Sequence, residues 1–279
     1  YKFLDHRSGQ RYHYATISVL REETRYFMKI ASTVDSAKNI DNEYCFASAV
    51  NNQAETDKKK FCAPIMHLRG DLGKHRYYIS ESIPHNCLTE NRDNFIKYLP
   101  EAVELLAWMR TFAPKLPMDD VLSLPGESAR QYALAIVEKN ARVLGKKIGP
   151  IMSAIYDTPF RERRLAYCDF KPWHTYTQDG RFGVFDGEYA TSQMVEHYDA
   201  ASCHSRLFCV MEKPELANHF LEKYIEKLLA QGQKRDEVIE ELRGVLAIRS
   251  VMQMANAKDK ITPLNHLHMD SVIEGSLFP

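Results

Sequence analysis

Leu165-Ala166-Tyr167-Cys168-Asp169-Phe170-Lys171-Pro172-Trp173-His174 is followed closely by Gly183-Val184-Phe185-Asp186-Gly187-Glu188, and these two stretches decide how the chain is read. The apolar run Arg164 to Tyr167 reads as a strand that ends on an acid, Asp169. His174, able to bind a metal, stands five positions later. Thr175–Gln178 and Arg181–Phe185 flank Asp179-Gly180, the two-residue turn that suits the twist of a β-hairpin. The hairpin delivers a second acid, Asp186. Phosphoryl transfer needs such an arrangement: one carboxylate orients the attacking hydroxyl and accepts its proton, while other side chains hold divalent metal against the phosphates. Asp169 alone would more often be a turn or capping residue, and Asp186-Gly187 alone a turn. Their conjunction carries the reading.

Outward from this island, the first third alternates as strands do. Arg11 to Leu20 and Arg25 to Ala31 are rich in Tyr, Ile, Val and Phe, with Arg21-Glu22-Glu23-Thr24 as the turn between them. Ser36 to Asn52 reads as a helix, closed by the polar run Gln53 to Lys60. Phe61 to Arg69 and His75 to Ile83 read as two more strands joined by Gly70-Asp71-Leu72-Gly73. Beyond Ile83-Pro84-His85-Asn86 the texture becomes helical, with helices expected at Asn91–Phe112, Glu127–Lys147, Met194–Met211, Leu216–Ala230 and Asp236–Met254. No internal repeat or low-complexity tract interrupts this order.

Composition sets bounds. The 279 residues are 44% hydrophobic and 27% charged, enough for one or two lobes with a sizeable core. Lys+Arg and Asp+Glu both count 37, so no bulk charge draws the chain to nucleic acid or an acidic membrane. No apolar run approaches the roughly 18–20 residues of a membrane span. Six scattered cysteines without a CxxC pair read as reduced thiols in a cytoplasmic protein, and Cys203 with Cys209 is not expected to pair. The first residue is Tyr1, so a natural start or a leader upstream is compatible with the sequence.

The two stretches resemble the kinase superfamily, specifically its aminoglycoside phosphotransferase and choline kinase branch, with its HGDxxxxN loop and a strand ending in Asp. Asp169 matches the catalytic-loop acid and Asp186 the metal-binding acid. Pro172-Trp173 resembles the DFxPWN loops of many bacterial members, and Lys171-Pro172 the DLKPxN loop of protein kinases, in which the Lys contacts the transferred phosphate. No APE-like segment follows Asp186. Tyr198-Asp199-Ala200-Ala201 instead resembles the YDLA helix start of the small-molecule branch. Upstream, Tyr26-Phe27-Met28-Lys29-Ile30 resembles the strand whose Lys meets the nucleotide's phosphates, and Glu43 falls where the family places that Lys's partner. Tyr77 to Ile83 resembles the strand and hinge that receive adenine, which places Glu81 and Ile83 at the nucleotide. The likeness covers roughly residues 10 to 212.

It implies an α+β, two-lobed protein-kinase-like fold. Residues 1–83 would form a small β-rich nucleotide-binding lobe, the family's first strand starting partly before Tyr1, and 84–279 a larger, mainly helical catalytic and substrate-binding lobe. The implied activity moves the γ-phosphoryl of ATP or GTP, with Mg²⁺ or Mn²⁺, to a hydroxyl of a small metabolite such as a sugar, amino alcohol, aminoglycoside or lipid head group. Asp169 and Lys171 would be catalytic, Lys29, Glu43, Glu81 and Ile83 would bind nucleotide, and Asp186 and His174 would bind metal. The rival readings are a pseudokinase-type scaffold and, further off, a protein kinase. Three departures stand out. His174 replaces the family's Asn, and imidazole suits Mn²⁺ or Zn²⁺ better than Mg²⁺. Tyr167-Cys168 replaces His-Gly, and Arg7-Ser8-Gly9-Gln10 offers one glycine where the family's phosphate-covering loop has more. Glu188, Glu196 and Asp199 are candidates for an acidic wall against a cationic substrate, Asp199 rather as a helix cap that steadies the loop. The pairs His197/His204 and His266/His268 carry no convincing ligand spacing. Trp173 reads as core beneath the loop before it reads as a substrate-stacking ring.

Overall fold

Tyr and β-branched residues alternating from Tyr12 onward form β2 (Tyr12–Arg21), which pairs antiparallel with β1 (Lys2–Gly9) on one side and β3 (Thr24–Ala31) on the other. A computed structural model describes residues 2–9, 12–21, 24–120, 129–160, 163–257 and 260–278. The expected turn residues Glu22 and Glu23, Gln10 of the loop expected to cover phosphates, and Glu127 at one expected helix start lie outside the described residues. Contacts divide the chain into two compact units. One comprises Tyr1–Phe95, Pro114–Leu122 and Trp173–Ser192, the other Ile96–Ala113, Ser123–Pro172 and Gln193–Pro279. The fold class is α+β, with a small antiparallel-sheet part and a larger helical part, as the sequence implied.

In the first unit β5 (Met66–Leu72) and β6 (His75–Glu81) complete a five-stranded sheet of order β1-β2-β3-β6-β5. Register sets Lys29 opposite Tyr78. Helix α1 (Val34–Thr56) starts at a reciprocal cap, Thr33 with Ser36, and buries Ile40 against Ala31 and Tyr78 of the sheet. The expected strand Phe61–Arg69 is broken: β4 (Phe61–Cys62) ends before Pro64, which has no N–H for a ladder. Strand β5 then runs on to Leu72, so the turn falls at Gly73, whose φ of 62° a side chain would resist, and not at Gly70. The Asp179-Gly180 hairpin forms as read, with φ of 51° and 71°, between β8 (Thr175–Gln178) and β9 (Arg181–Val184). Strand β9 also pairs in parallel with β4. A Cβ on Gly183 would lie 2.5 Å from the Tyr176 ring, so only glycine lets these strands close.

Helix α2 (His85–Asp93) and α3 (Leu99–Met109) replace the single helix expected over Asn91–Phe112. Pro100 is the cause: its ring and missing N–H are tolerated only in a first turn, so α3 starts there. Helix α2 belongs to the first unit and α3 to the second, which also contains α4 (Ala129–Lys139), α5 (Ala141–Leu144) and α6 (Ile148–Tyr156), where one helix to Lys147 was expected; Gly145 at φ 52° ends the run. Strand β7 (Arg163–Ala166) pairs with β10 (Thr191–Val195), along which the chain re-enters this unit. Met194 and Val195 are thus strand, not helix. A left-handed His197 (φ 65°) separates them from α7 (Tyr198–Ser205), which continues as a π-turn over Arg206–Val210.

Helices α8 (Pro214–Ala230), α9 (Arg235–Ala257) and α10 (Pro263–Glu274) complete the unit. Its core is the apolar face of α9, including Leu242, Leu246 and Val251. Threaded through this core is a chain of neutral polar groups. Ser250 Oγ lies 2.8 Å from His268 Nδ1, His268 Nε2 3.0 Å from His204 Nδ1, and His204 Nε2 3.2 Å from Asn218 Oδ1. Burial pushes the His204 pKa down to about 4 and holds His268 well below the usual histidine range. All six cysteines are free thiols. Among the described residues no helix is long and apolar enough to cross a membrane.

Candidate functional site

Lys29 on β3 points its ammonium into a nest of carboxylates. Its Nζ is 2.8 Å from Glu43 Oε2, 3.0 Å from Asp186 Oδ1 and 3.0 Å from Glu188 Oε2. Glu43 comes from α1, and Asp186 and Glu188 from the loop after the β8–β9 hairpin. Only 8% of the Lys29 side chain is exposed. Burial disfavours its charge, but Glu43, Asp186 and then Glu188 outweigh burial and hold its pKa well above the ordinary lysine value. Among the described residues three carboxylates share this ammonium, so the cluster carries excess negative charge in a largely buried place. Glu43 registers the excess: burial pushes its pKa up to about 7 against the pull of Lys29.

The same excess is what a divalent cation relieves. Oxygens of Glu43, Asp186 and Glu188 lie within 4.8 Å of one another, and carboxylate donors fit Mg²⁺ or Mn²⁺. His174 Nε2 stands 3.9 Å from Asp186 Oδ2, adding a nitrogen at the edge of the cluster, while its ring packs 5.5 Å from that of Phe185.

The loop that carries Asp186 is fixed by three features. Asp186 is left-handed (φ 67°), a conformation Asp tolerates better than most residues. Gly187 passes so close to α1 that a Cβ would come within 2.2 Å of the Phe46 ring. Asn42, fully buried on α1, donates from Nδ2 to the carbonyls of Gly187, Glu188 and Ala190 at 2.9–3.2 Å and accepts from the Met118 amide at 2.9 Å. Sequence reading missed both Asn42 and the place of Glu188. The signal for Asn42 was present: it shares the helical spacing of the core residues Phe46 and Val50, where a polar residue needs partners.

In the other unit Asp169 and Lys171 form an ion pair, both half-buried. Their loop is anchored by Asp199 of α7, which accepts from the amides of Tyr167 (2.6 Å) and Cys168 (2.8 Å). Burial pushes Asp199 up to about 7 in spite of these bonds. Tyr167 is wholly buried and sets its ring edge-on to Phe170. Cys168 is held at φ 68°.

Each candidate for the acidic wall has its own partner. Glu188 holds Lys29, Glu196 is paired with Arg110, and Asp199 holds the loop. His197 does gather carboxylates: Glu196, His197 and Glu241 are buried with ligand-capable atoms within 4.8 Å. Glu81 closes β6, where its amide bonds to Ile65 and its side chain lies 3.5 Å from His67, and Ile83 follows at the strand's end. Gly9 sits opposite Tyr12 at the tip of the β1–β2 hairpin. Trp173 is half-buried in a 3₁₀ turn.

No family model matches the sequence. No curated protein matches it either. In structure the chain is similar to a thermostable mutant of aminoglycoside phosphotransferase APH(4)-Ia in a ternary complex with ADP and hygromycin B (TM-score 0.57, 15% identity, 98% of this chain and 93% of that one). It is similar to amicoumacin kinase hAmiN with AMP-PNP, Ca²⁺ and Ami (TM-score 0.58, 10% identity, 99% and 87%). A choline/ethanolamine kinase family protein from Mesorhizobium loti gives a TM-score of 0.55 at 11% identity over 99% and 87%. The chain thus has the kinase-like fold of small-molecule kinases.

Proposed function

We propose that this protein is a small-molecule kinase that moves the γ-phosphoryl of ATP or GTP to a hydroxyl of a small metabolite. The observation that carries the reading is Lys29 held between Glu43 and Asp186, 2.8 and 3.0 Å away, from elements far apart in sequence. A lysine so held is positioned to meet nucleotide phosphates, and the three carboxylates around it suit a divalent ion. Residues 1–83 serve as the nucleotide-binding lobe, with Glu81 and Ile83 at the adenine, and 84–279 as the catalytic and acceptor-binding lobe. Structures of similar fold hold ADP or AMP-PNP, one of them with Ca²⁺, which supports a nucleotide and a divalent metal here.

Asp186, with Glu188 and His174, would hold Mg²⁺ or Mn²⁺, whose charge offsets that of the phosphates. Asp169 orients the acceptor hydroxyl and takes its proton as the new oxygen–phosphorus bond forms and the bond to the bridging oxygen breaks, releasing nucleoside diphosphate. Lys171, ion-paired with Asp169, is placed to neutralise charge on the moving group.

The test is a thermal-shift titration of ATP and GTP with Mg²⁺ or Mn²⁺, followed by transfer to a metabolite panel. Nucleotide should stabilise the protein only with metal. Asp169→Asn should keep that stabilisation and lower turnover by about 10²–10⁴-fold. Stabilisation without any transfer would make the protein a nucleotide-binding scaffold. No stabilisation by either nucleotide would end the kinase reading.

A further inference from the structure

Arg206 has an unusual environment. It opens the π-turn Arg206–Val210, a distortion that concentrates at functional positions. It follows Asp199 by seven residues, about two helical turns, and so shares the face of α7 with which Asp199 grips the Tyr167 and Cys168 amides. That face is turned to the Asp169 loop. Yet among the described residues the guanidinium of Arg206 has no hydrogen-bond or ion-pair partner, and its Nε is buried without an acceptor. Ser202, one turn before it on the same face, is fully buried with an unpartnered Oγ.

A second arginine adds to the excess. Arg249 of α9 is 3% exposed, donates to Tyr198 Oη at 2.9 Å and lies over the Tyr198 ring, but has no carboxylate partner among the described residues. Its Nε too is buried without an acceptor. Burial and then the nearby charge of Arg249 lower the pKa of Arg206, and Asp169, already paired with Lys171, offsets this only in part. Among the described residues Lys171, Arg206 and Arg249 thus gather near Asp169 and Asp199, and the Asp199 carboxylate is spent on two backbone amides. Buried donors without acceptors in a folded protein ask for a ligand, and guanidinium forks match the two oxygens of a carboxylate or phosphate.

We propose that Arg206, backed by Arg249 and Ser202, binds an oxyanion on the acceptor, so that the substrate class is hydroxy acids or phosphate monoesters and not amino alcohols or aminoglycosides. This rests on the kinase reading. Half-buried, Arg206 is reachable from solvent, and an acceptor held by its anionic end presents a hydroxyl to the Asp169 loop.

The test uses D-glycerate, glycerol 3-phosphate, glycerol and choline, each assayed for phosphoryl transfer and for binding by calorimetry. The two anions should bind and accept phosphate, and the two arms tell carboxylate from phosphate recognition. Arg206→Gln should raise their KM about tenfold or more, and Arg206→Lys should restore part of the loss. Arg206→Glu should gain affinity for choline, a gain that misfolding cannot mimic. If glycerol or choline is the better acceptor and Arg206→Gln leaves the KM values alone, the inference fails and the kinase reading stands. If an anion binds the wild type but not Arg206→Gln while no acceptor is ever phosphorylated, the oxyanion site stands and the kinase reading fails. If neither anion binds, the inference is overturned.

Discussion

The clusters around Lys29 and around Asp169 are built from the same residue types in opposite proportion. In the first unit three carboxylates share one buried ammonium. In the second, Lys171, Arg206 and Arg249 stand with two aspartates, one of them occupied by backbone amides. On the proposed reading each cluster is short of the charge that one reactant would bring: a metal ion for the first, an anion for the second. Charge excess in a buried place costs stability and persists where a ligand relieves it.

The sharpest way to break this comparison is Lys29→Met. It leaves Glu43, Asp186 and Glu188 without their shared cation, so unfolding in urea at pH 7.5 should show a loss of about 3–5 kcal/mol. Millimolar Mn²⁺ should return part of that loss, because the ion supplies the missing charge. A cost below about 1 kcal/mol would mean that the carboxylates are better solvated than their burial implies.

Acid tests the second unit. His204 stands two residues before Arg206, and burial keeps it neutral where a further cation would be unwelcome. Its folded pKa of about 4 lies below the unfolded value of 6.5. The unfolded chain therefore binds the proton first, and stability is lost as pH falls from 6.5 towards 4. Glu43 and Asp199, raised to about 7, act with the opposite sign and gain as pH falls, so the raw profile mixes both. The difference from His204→Asn isolates the histidine. Between pH 7 and pH 4.5 the wild type should lose about 2–3 kcal/mol relative to the variant in paired urea titrations. Parallel profiles would place the His204 pKa near its ordinary value.

Much of the local architecture was legible. Asp179-Gly180 dictated its hairpin, and the alternation of Tyr and β-branched residues gave β2 and β3. Breaks inside helical patterns were read less well: Pro100 was a signal passed over, whereas the left-handed turn at His197 has none. Helix α10 was missed although Thr262-Pro263 followed by Asn265 is a recognisable start. At the site, the meeting of Lys29, Glu43 and Asp186 could be anticipated only through family likeness, since no local pattern encodes a contact between residues so far apart. Glu188 and Arg206 lay beyond reach for another reason. Their significance is desolvation and the balance of neighbouring charges, which exist only in the folded chain.

His174 sharpens the metal half of the comparison. At 3.9 Å from Asp186 Oδ2 its nitrogen adds a softer donor to an otherwise all-oxygen set. Mn²⁺ should support nucleotide binding better than Mg²⁺. His174→Asn should shift the ratio of their half-saturating concentrations about tenfold towards Mg²⁺. An unchanged ratio would leave His174 a packing residue against Phe185.

The smallest effect concerns the two left-handed residues that aim the acids, Asp186 in one unit and Cys168 in the other, at φ 67° and 68°. Asp adopts this conformation at modest cost, helped by its short polar side chain, whereas a cysteine Cβ crowds the following carbonyl by about 1–2 kcal/mol. Glycine removes that crowding but gives the unfolded chain more freedom, about 0.5–1 kcal/mol in the other direction. Replacing Cys168 by glycine also loses the thiol's packing, so comparison with the wild type alone mixes three effects. Alanine provides the reference: Cys168→Ala loses the thiol and keeps the crowding. The glycine variant should therefore be more stable than the alanine variant by about 1 kcal/mol, a difference of about 2–4 °C in Tm. Alanine and glycine melting together would show that the loop, held by Asp199 at the Tyr167 and Cys168 amides, relaxes at Cys168 without cost.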